Sequence, residues 1–154
     1  MSPIADVADE VQQALADGAD EIDVVFPFRA YLAGSHLIAG ELVQRIADLC
    51  HDGARRANLK VILETGVLHD TIVIKAAAVV AAANGADFLK TSTGKLEPAA
   101  TPESAEALLQ VVAAARREGQ PLGLKVAGGV KTVAEAAGYL DLADRYLQPD
   151  AAEP

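Results

Sequence analysis

Apolar runs of strand length alternate with helix-length segments along this chain, and that alternation restricts the fold more than any other feature. A first helical pattern is followed by four repeats of strand and then helix. Strands separated by segments of this length are joined by crossover helices, which makes them parallel. Ser2 is placed to cap the first helix, with Pro3 at its first position. Ile4, Val7, Val11 and Leu15 share one face of that helix, and Gly18 ends it. The first strand is predicted over residues 21–26, where Pro27 stops it.

The remaining boundaries follow from the same signals. A second helix is predicted over 37–57, with Leu42, Ile46, Leu49 and Cys50 on one side, and a second strand over 59–64. Asp70 caps a third helix that runs to Ala83, and Asn84-Gly85 ends it. The third strand is predicted over 87–91. Thr101-Pro102-Glu103 opens a helix that reaches Glu118-Gly119, and the fourth strand follows over 121–126. Thr132 and Glu135 form a capping box for a last helix that runs to Tyr146, and the tail over 148–154 is expected to fray. The strands read as apolar on both faces, as in a sheet covered by helices. No linker rich in Pro, Gly and Ser interrupts the 154 residues, so one domain over 1–154 is expected.

Composition narrows the function. Apolar residues make up 51% of the chain and aromatics 4%, so the core must be aliphatic. The net charge is −9 with no basic stripe, which argues against nucleic acid and anionic membranes as partners. Cys50 is the only cysteine, so no intrachain disulfide is possible. There is no charged-then-apolar leader at Met1 and no long apolar run, and a cytosolic protein is expected. His36, His51 and His69 lack metal-ligand spacing, and Cys50-His51 reads as incidental on a helix.

Two lysines stand out against this background. Lys90 closes the run Ala86-Asp87-Phe88-Leu89, and Lys125 closes Leu122-Gly123-Leu124. Lysine is costly to bury, so it rarely ends an apolar strand without a reason. An ammonium held beside another in a desolvated pocket gives up its proton more readily and becomes a nucleophilic amine. One such lysine alone reads as a snorkelling side chain. Two of them, each running into glycine-containing turns, point to function. Parallel β/α folds place their chemistry at the carboxyl ends of the strands, where Asp23, Glu64, Lys90 and Lys125 fall. If Lys90 and Lys125 share a face, Asp23 can supply a carboxylate to the pair, whereas Glu64 beside Thr65-Gly66 reads as structural. Lys95 and the Gly128-Gly129 turn before a helix suit an anion such as phosphate. Thr93-Gly94-Lys95 is not a Walker A loop, because Leu96 replaces the required hydroxyl residue.

The chain resembles the deoxyribose-phosphate aldolase family, class I aldolases built on a TIM barrel. The specific segment is Lys90-Thr91-Ser92-Thr93-Gly94-Lys95, which looks like that family's Schiff-base strand. The run from Gly18 through Asp23 to Arg29 looks like its fourth strand, Leu59 to Gly66 like its fifth, and Leu124 to Thr132 like its seventh. The resemblance implies a partial barrel of about four strands, with the family's first three strands and its last strand outside the pattern. It implies that Lys90 forms the imine, Lys125 makes it nucleophilic, and Asp23 joins the proton relay. Thr93, Lys95, Gly128 and Gly129 would help hold phosphate. The activity implied is reversible cleavage of 2-deoxyribose 5-phosphate to acetaldehyde and glyceraldehyde 3-phosphate, a step of deoxyribonucleotide catabolism. It needs no metal or other cofactor. Four parallel strands leave open edges, so a homodimer or higher oligomer is expected. The competing expectation is a catalytically inactive barrel piece that serves as an assembly or binding subunit. A third is a Schiff-base aldolase with a different donor.

Overall fold

The computed structural model describes residues 4–53 and 55–148. The expected cap at Ser2 and Pro3, and the tail beyond Gln148, lie outside the described residues. The elements run in the order α1 (Ile4–Ala16), β1 (Glu21–Val25), α2 (Phe28–Leu32), α3 (His36–His51), β2 (Asn58–Ile62) and α4 (Thr65–Leu68). Then follow α5 (Thr71–Ala83), β3 (Phe88–Lys90), α6 (Pro102–Arg117), β4 (Gly123–Lys125) and α7 (Val133–Leu147). All four strands are parallel and lie in sequence order, β1-β2-β3-β4.

Local chemistry sets the helix ends. The Asp70 carboxylate accepts from Ile72 N at 2.7 Å and starts α5. Thr101 and Ser104 form a reciprocal capping box on α6, and Thr132 and Glu135 form one on α7. One expectation needs correction here. The second helix ends at His51 rather than at 57, because Asp52 and Gly53 turn the chain back toward β2. The short helices α2 and α4, of 5 and 4 residues, occupy segments to which the sequence assigns no element.

The sheet is not apolar on both faces. Ile22, Val24, Leu59, Val61, Leu89 and Leu124 point to one side and pack with Val43, Ile46, Ile74, Ala78 and Leu108 of the helices. This aliphatic layer is the core. Leu59, Leu89 and Leu108 are fully buried, and each contributes about 1.5–3 kcal/mol by leaving water. A smaller cluster of Ala105, Leu109 and Leu142 seats α7 on α6. The opposite face carries Glu21, Asp23 and Val25 of β1, Lys60 of β2, Lys90 of β3 and Lys125 of β4. Side chains two apart along a strand share a face, so these charges are segregated from the core by period-2 alternation. The exposed-buried-exposed-buried-exposed pattern of β1 records that division.

The amino end of the sheet is pinned separately. Asp87 Oδ2 accepts from Leu59 N–H at 2.8 Å and lies 2.8 Å from His51 Nε2, while its Oδ1 accepts from Arg56 Nη2 at 2.6 Å. Burial pushes this carboxyl up, but those hydrogen bonds outweigh it and hold the group below its ordinary range. Burial also pushes the Cys50 thiol up to about 11, helped by the charge of Asp87, so Cys50 behaves as an inert core residue.

Candidate active site

The charged face converges at the carboxyl half of the sheet. Register places Asp23 beside Lys60, and Lys90 between Ile62 and Lys125. Lys90 and Lys125 are therefore direct neighbours on adjacent strands, roughly 4.8 Å apart along the hydrogen-bonding direction and pointing the same way. Lys90 Nζ donates to Asp23 Oδ2 at 2.5 Å. Lys60 Nζ lies 3.2 Å from Asp23 Oδ1 and donates to Glu21 Oε2 at 2.7 Å.

Asp23 thus sits between two ammonium groups, but not the two expected. It binds Lys90 and Lys60, while Lys125 is exposed and forms no ion pair among the described residues. Burial alone pushes the Asp23 carboxyl up. Hydrogen bonds from Lys90 and Lys60 outweigh that and hold it below the usual carboxylate range. Burial pushes Lys60 down, and its bonds to Glu21 and Asp23 more than reverse the effect. The arrangement is a carboxylate kept ionised beside a half-buried amine, with two more ammonium groups at hand. It can hold an amine nucleophile in place and exchange protons with it.

A single lysine in an apolar strand reads as snorkelling, so sequence alone does not single out Lys60. The structure places it mid-strand on the face of Asn58 and Ile62, with only 7% of it exposed. Its partner became visible only through the pairing of β1 with β2.

Beyond Lys90 the chain forms a glycine-containing turn. Thr91 fastens it to the loop after β4, donating from Oγ1 to Ala127 O at 3.1 Å and accepting from Ala127 N at 3.0 Å. Gly94 and Gly128 lie face to face. Gly128 has φ +88°, and a Cβ there would come within 2.6 Å of Ala99 Cβ and 3.4 Å of Gly94 Cα. Only glycine fits, which brings the backbones of the two loops together. Lys95 and Gly129 stand next to this contact and are exposed. Thr93 differs from expectation: its hydroxyl donates to the buried Glu64 carboxylate at 2.6 Å and accepts from Lys95 N at 3.1 Å. It is committed to the protein rather than turned outward. Among the described residues no three His, Cys, Asp or Glu side chains group as a metal site.

Comparison with known proteins covers most of the chain. The family model described as DeoC/LacD family aldolase matches residues 2–143. A curated deoxyribose-phosphate aldolase from Agrobacterium fabrum is 42% identical over 151 residues, which covers 98% of this chain and 56% of that protein. Two solved structures align closely. The aldolase QR15 gives a TM-score of 0.78 at 26% identity, over 92% of this chain and 59% of its own. The deoxyribose phosphate aldolase from Aeropyrum pernix, described as having a unique tetrameric structure, gives 0.76 at 27%, over 92% and 56%. The chain therefore spans little more than half the length of these relatives. Its open four-stranded parallel sheet with flanking helices is a partial TIM barrel.

Proposed function

The chain belongs to the DeoC/LacD aldolase family, and from that premise we propose that it is a class I aldolase whose imine forms on Lys90. The observation that carries the proposal is the Lys90 Nζ to Asp23 Oδ2 contact of 2.5 Å, with Lys125 next to Lys90 in register. The proposed reaction is the reversible cleavage of 2-deoxyribose 5-phosphate to acetaldehyde and glyceraldehyde 3-phosphate, or the related addition of acetaldehyde to other aldehydes.

In the cleavage direction the free amine of Lys90 attacks the substrate carbonyl carbon and forms a carbinolamine. Loss of water gives an iminium, which acts as the electron sink. The carbon–carbon bond then breaks as the proton leaves the neighbouring hydroxyl. Glyceraldehyde 3-phosphate departs, and the two remaining carbons stay on Lys90 as an enamine. Protonation of the enamine and hydrolysis release acetaldehyde and restore the amine. Asp23 orients Lys90 and, with Lys125, relays the protons that each step needs. Lys60 holds Asp23 in place from the other side. Lys95 with the backbone at Gly128 and Gly129 is proposed to receive the phosphate, since an ammonium beside glycine N–H groups suits an anion.

The test is kcat/KM for retro-aldol cleavage by the parent and by Lys90→Leu, together with a comparison of deoxyribose with and without its 5-phosphate. The variant is expected to lose imine chemistry entirely. Equal activity of the two proteins sinks the proposal. The proposed setting is a single α/β unit in the cytosol. Among the described residues no helix is long and apolar enough to cross a membrane.

A second element of the proposal is self-association. A groove of about 750 Å³ runs along the β1 edge, lined in part by Ile4, Val7, Val11, Val25, Ile38 and Leu42. Strand edges and apolar grooves of this kind favour a covering partner. If the chain traps no aldehyde but forms a stable, concentration-dependent oligomer, the assembly-subunit reading takes precedence.

A further inference from the structure

Glu64 is unfavourably placed in two independent respects. Its backbone is left-handed, with φ 55° and ψ 58°, a conformation that a side chain with a Cβ disfavours. Its carboxylate is also buried, with only 1% of the residue exposed, and it forms no ion pair with a Lys, Arg or His among the described residues. A buried carboxylate without a cation is costly unless hydrogen bonds replace its water. Those bonds come from one residue. Thr93 N–H points at both oxygens, each at 3.3 Å, and the Thr93 hydroxyl donates to Oε2 at 2.6 Å.

The consequence runs down the loop. With its proton given to Glu64, Thr93 Oγ1 offers a lone pair to Lys95 N at 3.1 Å. The neighbouring backbone is tied to the same strand end, since Thr65 N donates to Thr91 O at 2.9 Å. Gly66 reinforces this packing. A Cβ there would lie 1.7 Å from Pro98 O, so the chain returning from the loop rests directly on the residues after Glu64. The segment from Thr91 to Lys95 is thus stapled at both ends, by Ala127 through Thr91 and by Glu64 through Thr93.

We propose that Glu64 is a positioning residue for anion binding: its carboxylate fixes Thr93 and thereby sets the Lys95 end of the loop against Gly128, where a substrate phosphate is received. The inference rests on the aldolase reading for its substrate, but not for its test. Glu64 touches neither the amine of Lys90 nor the anion. It acts through Thr93, and its effect falls on binding of the phosphate group rather than on the imine step.

The experiment measures inorganic phosphate affinity by ³¹P NMR in the parent, Glu64→Gln, Thr93→Ala and the double variant. The same proteins are assayed for acetaldehyde trapping on Lys90 with borohydride. Glu64→Gln is expected to weaken phosphate about 10-fold or more, as loss of a charge-assisted bond does. The double variant is expected to be no weaker than the worse single one, because both break one bridge. Trapping by Glu64→Gln, and its kcat on unphosphorylated 2-deoxyribose, stay within about twofold of the parent while KM for the 5-phosphate rises. Unchanged phosphate affinity in folded Glu64→Gln, losses that multiply in the double variant, or trapping lost together with phosphate each overturn the inference. So does a parent chain that binds no phosphate. Should Glu64→Gln fail to fold, Thr93→Ser against Thr93→Ala decides from the loop side: the serine restores phosphate binding and the alanine does not. If the serine fails to restore it, the bridge is not what positions the site. A parent that binds phosphate but traps no acetaldehyde overturns the aldolase proposal and leaves the role of Glu64 standing.

Discussion

Replacing Asp23 by Asn removes a negative charge from between two ammonium groups while keeping the size and shape of the side chain. The structure allows two separate magnitudes to be worked out. Asp23 makes a 2.5 Å contact with Lys90 and a 3.2 Å contact with Lys60. Charge-assisted hydrogen bonds are worth about 1.5–3 kcal/mol each when desolvated. The Asp23 side chain is 34% exposed, so solvent screening reduces the pair to about 1–2 kcal/mol in total. For a chain of this length that loss lowers Tm by only about 2–8 °C. The catalytic effect is much larger. A positioned proton-transfer group contributes about 10²–10⁴-fold to the rate, which is roughly 3–5 kcal/mol of barrier. The assay pairs retro-aldol kcat/KM with a thermal melt on the same sample. The expected result is a folded variant, a few degrees less stable, whose kcat/KM falls at least 100-fold. Trapping of acetaldehyde on Lys90 should remain detectable, because the amine itself is untouched. A folded Asp23→Asn with kcat/KM within about threefold of the parent refutes the role given to this carboxylate.

Two further outcomes follow from other parts of the molecule. Lys95→Ala is expected to raise KM for the 5-phosphate about 10-fold and to leave unphosphorylated 2-deoxyribose unaffected, as steady-state kinetics with both substrates would record. Asp87→Asn tests the amino end of the sheet. The carboxyl of Asp87 is held below its ordinary value of 3.8, so its stabilisation is present above that pH and is lost as pH falls through the lowered folded value. Urea unfolding should show the variant about 1–3 kcal/mol less stable at neutral pH, with the gap closing as the pH is taken below the ordinary carboxyl value of 3.8. A gap of the same size at both pH values contradicts the assignment.

Much of this architecture is legible in the chain itself, for reasons specific to each element. Asp70, Thr101 and Thr132 announce helix starts because capping depends only on a side chain and an N–H two or three residues away. The four strands are found for a related reason, since an apolar run between turn residues is also a local signal. The helices α2 and α4 are too short to display a 3.6-residue period, and the end of α3 at His51 is marked by Gly53 just past its Asp52 cap, a signal outweighed in the sequence by the helix-forming residues that follow. The site divides in the same way. Lys90 and Lys125 stand out within their own runs, whereas Lys60 becomes meaningful only when β1 pairs with β2 and sets it against Asp23. Glu64 reads as structural from its neighbours. Its link to Thr93, 29 positions away in sequence, is set by tertiary packing and not by any local pattern. The apolar reading of both sheet faces fails for a similar reason. In strands as short as β3 and β4, three residues each, alternation is too brief to reveal that one side is charged.

The measurement that bears most directly on the central claim is borohydride reduction of the chain in the presence of acetaldehyde, read by intact mass and peptide mapping. The account predicts one reduced two-carbon adduct, located on Lys90 and absent from Lys90→Leu. A folded sample that yields no adduct, or an adduct on Lys60 or Lys125 instead, contradicts it.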